Sequence, residues 1–218
     1  MIILNYIKSR LWLLIIFQLF SSCNYFLAKT IYGINRPHSI DSEKLAVSYL
    51  HSEFDLIQNY SCLGFYRNRF YDSLLNIQID SQYLFTSFIQ PLSAMYFDNK
   101  GYLKSILINC YATPKGRNLS WNDSNRLCQF PPKSHTHKYN KLKFDLIAGS
   151  IIPVTGSVFE LNEFDYTVVI NWGFFMNRQA KIFLKGIKEN ISVGYRKGIK
   201  IQVILINNDN FFNKYSDL

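Results

Sequence analysis

Chemistry in this 218-residue chain would have to come mainly from its four cysteines, Cys23, Cys62, Cys110 and Cys128, or from His135 and His137. A thiol can be acylated, paired as a disulfide, or ionised to a nucleophilic thiolate. A thiolate beside two imidazoles can begin a tetrahedral metal site, but Cys128 with His135-Thr-His137 still lacks a ligand at sensible spacing. These histidines sit in a Lys- and Pro-rich stretch and read as solvated loop residues, so no metal or other cofactor is expected. Met176-Asn-Arg178 at a helix start could hold an anion through Arg178 and free amides, though a charged surface turn accounts for it as well. No Ser/His/Asp order, glycine-rich phosphate loop or carboxylate pair is present, and no catalytic residue is identified.

The position of Cys23 is the most telling. Lys8 and Arg10 are followed by Leu11-Trp-Leu-Leu-Ile-Ile-Phe-Gln-Leu-Phe20, then Ser21-Ser22-Cys23. The apolar run is too short for a helix across a hydrocarbon core of ~30 Å, which takes ~20 residues. A cationic start and a short apolar core describe an export signal. Leu19-Phe20-Ser21-Ser22-Cys23 resembles the lipobox of bacterial lipoproteins, with Phe20 larger than that family prefers. The resemblance implies cleavage before Cys23, acylation of its thiol and new amino terminus, and a cell-envelope location on the periplasmic face or surface. Several acyl chains at one residue make a stable anchor, whereas one chain binds only marginally. Residues 1–22 are then the signal, 23–38 a lipidated tether, and the lipid bilayer the first partner.

The chain carries 24 Lys+Arg against 15 Asp+Glu, a net +9, which falls to +7 without Lys8 and Arg10. The cations are dispersed and read as a solvated surface that could also sit near anionic headgroups. No nucleic-acid module is visible, and none is expected as a partner. About 180 residues beyond the tether suffice for one sizeable core or two small ones, and 18 Phe and 15 Tyr indicate a folded globule. Cys110 and Cys128 flank one loop; a bridge there would contribute ~3 kcal/mol by the chain-entropy model. All three later cysteines could equally be small buried hydrophobes.

Along the chain, residues 41–58 predict a helix, with Asp41 or Ser42 accepting from first-turn amides and Leu45, Tyr49, Phe54 and Ile57 on its apolar stripe. Residues 60–80 give no clear assignment, and 81–90 read as a short helix ended by Pro91. Ala94–Phe97, the turn Asp98-Asn-Lys-Gly101 and Tyr102–Cys110 predict a β-hairpin closed by Gly101. Residues 112–141 read as a long connection, and a boundary is placed near residue 140. Beyond it, Ser157–Leu161 is a short candidate strand and Tyr166–Trp172 a buried one. Residues 176–195 form an amphipathic helix, ending near Gly194 or Gly198, and Ile199–Ile206 is another strand. Strand, helix, strand at this spacing is a βαβ unit with parallel strands.

Gly156-Ser-Val-Phe-Glu-Leu161, Tyr166–Trp172, Gly173-Phe-Phe-Met176-Asn-Arg-Gln179-Ala-Lys181 and Lys197–Asp209 together resemble the thioredoxin fold. The likeness is to the membrane-tethered thiol–disulfide oxidoreductases of bacteria, and covers about a third of the chain. It implies a glycine-led hairpin, a strand, a redox loop at a helix start and a second strand. Met176 and Gln179 stand where that family carries its two redox cysteines, and neither can form a thiolate. The family's closing proline loop, hairpin and helix are not expected after Ile206; the Ala94–Cys110 hairpin is expected to cover the open sheet edge instead.

The expected fold class is therefore α/β (α+β overall): an incomplete thioredoxin-like βαβ domain over 140–218, preceded by a helix and β-hairpin region over 39–139. The expected function is that of a membrane-anchored lipoprotein serving as a redox-inactive binding or accessory module for another envelope protein. The alternative is an oxidoreductase working through Cys62, Cys110 or Cys128.

Overall fold

The computed structural model describes residues 28–51, 57, 59–67, 90–134, 142–158 and 161–215. Cys23, His135, His137, all but Gln90 of the expected helix over 81–90 and most of the expected helix beyond His51 lie outside the described residues. The described elements are α1 (Ser42–His51), β1 (Cys62–Tyr66), β2 (Ser93–Asp98), β3 (Leu103–Ile108), β4 (Thr113–Lys115), β5 (Asn118–Ser120), α2 (Asp145–Ala148), β6 (Ile151–Gly156), β7 (Tyr166–Trp172), α3 (Asn177–Arg196), β8 (Ile201–Asn207) and α4 (Asp209–Tyr215).

Two runs of β-branched residues, Thr167-Val-Val-Ile170 and Ile201–Ile206, supply the centre of a six-stranded sheet ordered β3-β2-β7-β8-β1-β6. β7 and β8 pair in parallel from Tyr166↔Ile201 to Trp172↔Asn207, as the βαβ reading requires. β1 adds a third parallel strand beside β8, and β6 closes that edge antiparallel to β1. The sheet is mixed and flanked by helices, an α/β architecture.

At the other edge, the β2–β3 hairpin lays β2 antiparallel along β7, so it covers the open edge as expected. Its turn is held by Asp98 Oδ1, which accepts from the amides of Lys100 at 3.0 Å and Tyr102 at 2.8 Å. Gly101 takes φ 77°, a left-handed conformation that a Cβ disfavours. Residues before and after position 140 alternate in this one sheet, so the boundary placed there falls between strands of a shared layer.

Each face of the sheet carries its own core. Val168, Ile170, Trp172, Val203 and Leu205 pack against Ala180, Phe183, Leu184, Ile187 and Ile191 of α3, and against Leu45 and Tyr49 of α1. Asp41 caps α1 as expected, its Oδ1 accepting from Lys44 N at 2.6 Å. On the opposite face Met95, Phe97, Val169, Ile204 and Ile206 meet Leu142, Phe144 and Ile147.

The candidate strand over Ser157–Leu161 is corrected. The strand is β6, ending at Gly156, and Leu161 opens a 3-10 turn. Gly156 has φ 71°, and a Cβ there would lie 2.0 Å from Ser61 O; β6 must stop there to make the turn. The connection over 112–141 also contains unforeseen structure, the small β4–β5 hairpin and a 3-10 segment over Asp123–Cys128.

Candidate functional site

In an open sheet with parallel strands, ligand sites form beyond the carboxyl ends of those strands. Here β7 ends at Trp172, and the chain passes Gly173 and one 3-10 turn, Phe174–Met176, before entering α3. The approach is too tight for a side chain at Gly173, where a Cβ would meet the Phe175 ring at 2.6 Å and Asn208 Oδ1 at 2.9 Å. Beside it β8 ends at Asn207, and Asn208 leads into α4.

The amides at this turn are already taken by a side chain of the same molecule. Asp209 is fully buried; its Oδ2 accepts from Phe174 N at 2.7 Å and its Oδ1 from Phe175 N at 3.1 Å. Asn207 Nδ2 donates to the same carboxylate at 2.7 Å. Burial raises the Asp209 carboxyl above its ordinary value, against the opposing pull of these donors and of His38. A carboxylate thus stands where an external anion would have to bind, and the reading of Met176-Asn-Arg178 as an anion site is set aside.

The two positions expected to be degenerate redox-loop residues, Met176 and Gln179, are inside the protein. Met176 is 3% exposed and Gln179 fully buried. Gln179 Oε1 accepts from Leu119 N at 2.9 Å, and its Nε2 donates to Tyr32 O at 2.7 Å and Arg117 O at 3.0 Å. Arg178 is no free surface charge, because its Nη2 donates to Ile31 O and Arg117 O. Asn35 N donates to Phe175 O at 2.7 Å.

Two strips of chain are therefore fastened across the start of α3: the segment around Ile31–Asn35 and the β4–β5 turn at Arg117. The segment stays attached further on, where Asn210 exchanges two hydrogen bonds with the backbone of Ile40, at 2.6 and 2.7 Å. From Ala28 onward the expected tether is docked onto the globule.

The remaining thiols do not form a reactive pair. Cys62, Cys110 and Cys128 are free, so the candidate Cys110–Cys128 bridge is not made. Cys110 Sγ donates to Gln90 Oε1 at 3.2 Å, and Cys128 Sγ accepts from Asn122 Nδ2 at 3.9 Å. Cys62 is buried on the sheet, and burial pushes its thiol up to about 11, opposite to the direction an attacking thiol needs.

Among the described residues, no group of three His, Cys, Asp or Glu could hold a metal ion. No described helix is long and apolar enough to cross a membrane. An open polar cleft of about 440 Å³ lies between Asp123 and Ser134, with Arg126 and Lys133 on its wall.

The sequence placed Met176 and Gln179 at the mouth of α3 but not what covers them. It also missed Asp209, although Asn207-Asn208-Asp209 directly after a β-branched run carries the composition of a helix N-cap. No family model, curated protein or solved structure matches the chain.

Proposed function

We propose that this chain is a membrane-anchored lipoprotein of the cell envelope, held through acylated Cys23, whose thioredoxin-like globule is a non-catalytic binding or accessory module. The observation that carries the non-catalytic part is the closed mouth of α3. Met176 and Gln179 replace a redox pair, and both are buried beneath Ile31–Asn35 and Arg117. Thioredoxin-type exchange needs a thiolate reachable by a substrate disulfide, and here the position has neither thiol nor access. The anchoring part is supported by the cationic and apolar run ending in Ser21-Ser22-Cys23. The partner is another envelope protein.

Two assays test the parts separately. Cys23→Ser should move the protein from the membrane pellet to the soluble or unprocessed fraction, and unchanged acylated anchoring would refute the lipoprotein reading. The purified protein should not accelerate insulin reduction by dithiothreitol. Turnover dependent on Cys62, Cys110 or Cys128 would establish an oxidoreductase instead.

A further inference from the structure

We infer that the outward face of α3 lies against anionic phospholipid headgroups, so that the anchored globule rests flat on its membrane. The inference deepens the lipoprotein reading and takes its orientation from it. Lys181, Lys185, Lys188 and Arg196 are spaced by four, three and eight residues, which places them on one face of a 20-residue helix. Lys185 and Arg196 are exposed, and Lys181 and Lys188 are half-buried. The opposite face of α3 is spent on the sheet through Phe183, Leu184, Ile187 and Ile191. Glu189 is the acid at the edge of this stripe. From Lys181 to Arg196 the ridge runs about 22 Å along the helix axis.

The second observation is where the anchor joins. The N-terminal segment docks at the first turn of this same helix, through Arg178 to Ile31 O and Gln179 to Tyr32 O. Exposed Lys29 and Arg117 flank that junction, with Asp123 near the β4–β5 hairpin as a further acid. Cys23 is five residues before Ala28, where the described segment begins. Five residues span at most about 18 Å however they are arranged. A lipid at Cys23 therefore enters the bilayer close to the amino-terminal end of the ridge. A tether of at most ~18 Å is about two screening lengths of ~8 Å at physiological salt, so the globule needs only to lean toward its anchor to bring the ridge within reach of surface charge. Each cation at an anionic surface shifts the equilibrium toward contact by about fivefold, so Lys185, Lys188 and Arg196 together contribute about 100-fold.

The test uses the full acylated protein in vesicles of phosphatidylcholine, with or without 30% phosphatidylglycerol (roughly a physiological anionic fraction). Amine labelling is read by mass spectrometry at Lys185 and Lys188, with Lys143, whose neighbour Phe144 packs on the opposite sheet face, as internal reference. Labelling of Lys185 and Lys188 should fall relative to Lys143 only with phosphatidylglycerol, and recover in high salt. The double variant K185Q/K188Q should stay vesicle-bound while the phosphatidylglycerol-dependent shielding of the stripe amine it keeps, Lys181, disappears.

Equal labelling in both vesicles, with the protein still anchored, overturns the flat orientation and leaves the lipoprotein reading standing. Protection by soluble polyphosphate but not by vesicles also overturns it, in favour of a polyanionic partner. Acylation is read separately from the mass of the N-terminal peptide, so loss of the anchor is not confused with loss of the ridge contact.

Discussion

Replacing Gln179 with methionine removes the polar lock over the mouth of α3 while keeping the side chain's length and volume, so the cavity contribution is small. Three neutral hydrogen bonds disappear: Leu119 N to Oε1 at 2.9 Å, and Nε2 to Tyr32 O at 2.7 Å and Arg117 O at 3.0 Å. At ~1 kcal/mol each the loss is about 3 kcal/mol, near two decades in an equilibrium constant. Arg117 O keeps its bond to Arg178, and Asn35 N keeps Phe175 O. The part-buried Leu119 amide and Tyr32 carbonyl lose their partner, so opening should concentrate at β5 and the docked segment. Native-state hydrogen exchange should show the Leu119 and Asn35 amides exchanging up to ~100-fold faster, while core amides of β7 change with global stability alone. Urea unfolding of the same variant reports the global share of the loss. Exchange within about twofold of the parent at both amides, with an unchanged midpoint, would mean that Gln179 does not fasten these segments, and the closed-site argument would fail.

Introducing thiols by M176C/Q179C should give no more insulin reduction than the parent, because both positions stay covered; efficient turnover would show that the covering strips move aside. Asp209 has a raised carboxyl, so it is protonated more readily folded than unfolded; its stabilising effect is present below the ordinary carboxyl range and is lost as pH rises through the raised value. Melting temperatures measured across pH 4–7 (roughly this window) should therefore fall less with rising pH in Asp209→Asn than in the parent, and equal slopes would contradict the assignment. Cys62 should be alkylated far more slowly than Cys110 at mild alkaline pH in the native protein, with the difference vanishing in denaturant. A rapidly labelled native Cys62 would conflict with its burial and with the suppressed ionisation of its thiol.

What could be read from the sequence follows how local each signal is. The Asp98–Gly101 turn, the β-branched run of Tyr166–Trp172 and the apolar stripe of α3 are each specified within a few residues. They appear where expected, to within a residue or two. β1 gives no strand signal because Cys62-Leu-Gly-Phe-Tyr66 has no alternation to mark it; it is a strand through its pairing with β8 and β6. The expected strand over Ser157–Leu161 falls several residues beyond β6 because Ile151-Ile-Pro-Val-Thr-Gly156 is largely exposed or half-buried on an edge, where the usual apolar signal is weak. At the site, local pattern located Met176 and Gln179 but could not say what they touch. Their partners Tyr32 and Arg117 are 147 and 62 residues away from Gln179, and Asp209 reaches Phe174 across 35 residues. Contacts at such separations leave no periodicity to detect.

The anchoring on which the proposed orientation and location depend is read most directly by the intact mass of the mature protein extracted from membranes. The account predicts an amino terminus at Cys23 carrying acyl chains on its thiol and its amine, with residues 1–22 removed. A mature chain retaining those residues, or beginning elsewhere with Cys23 unmodified, would contradict it.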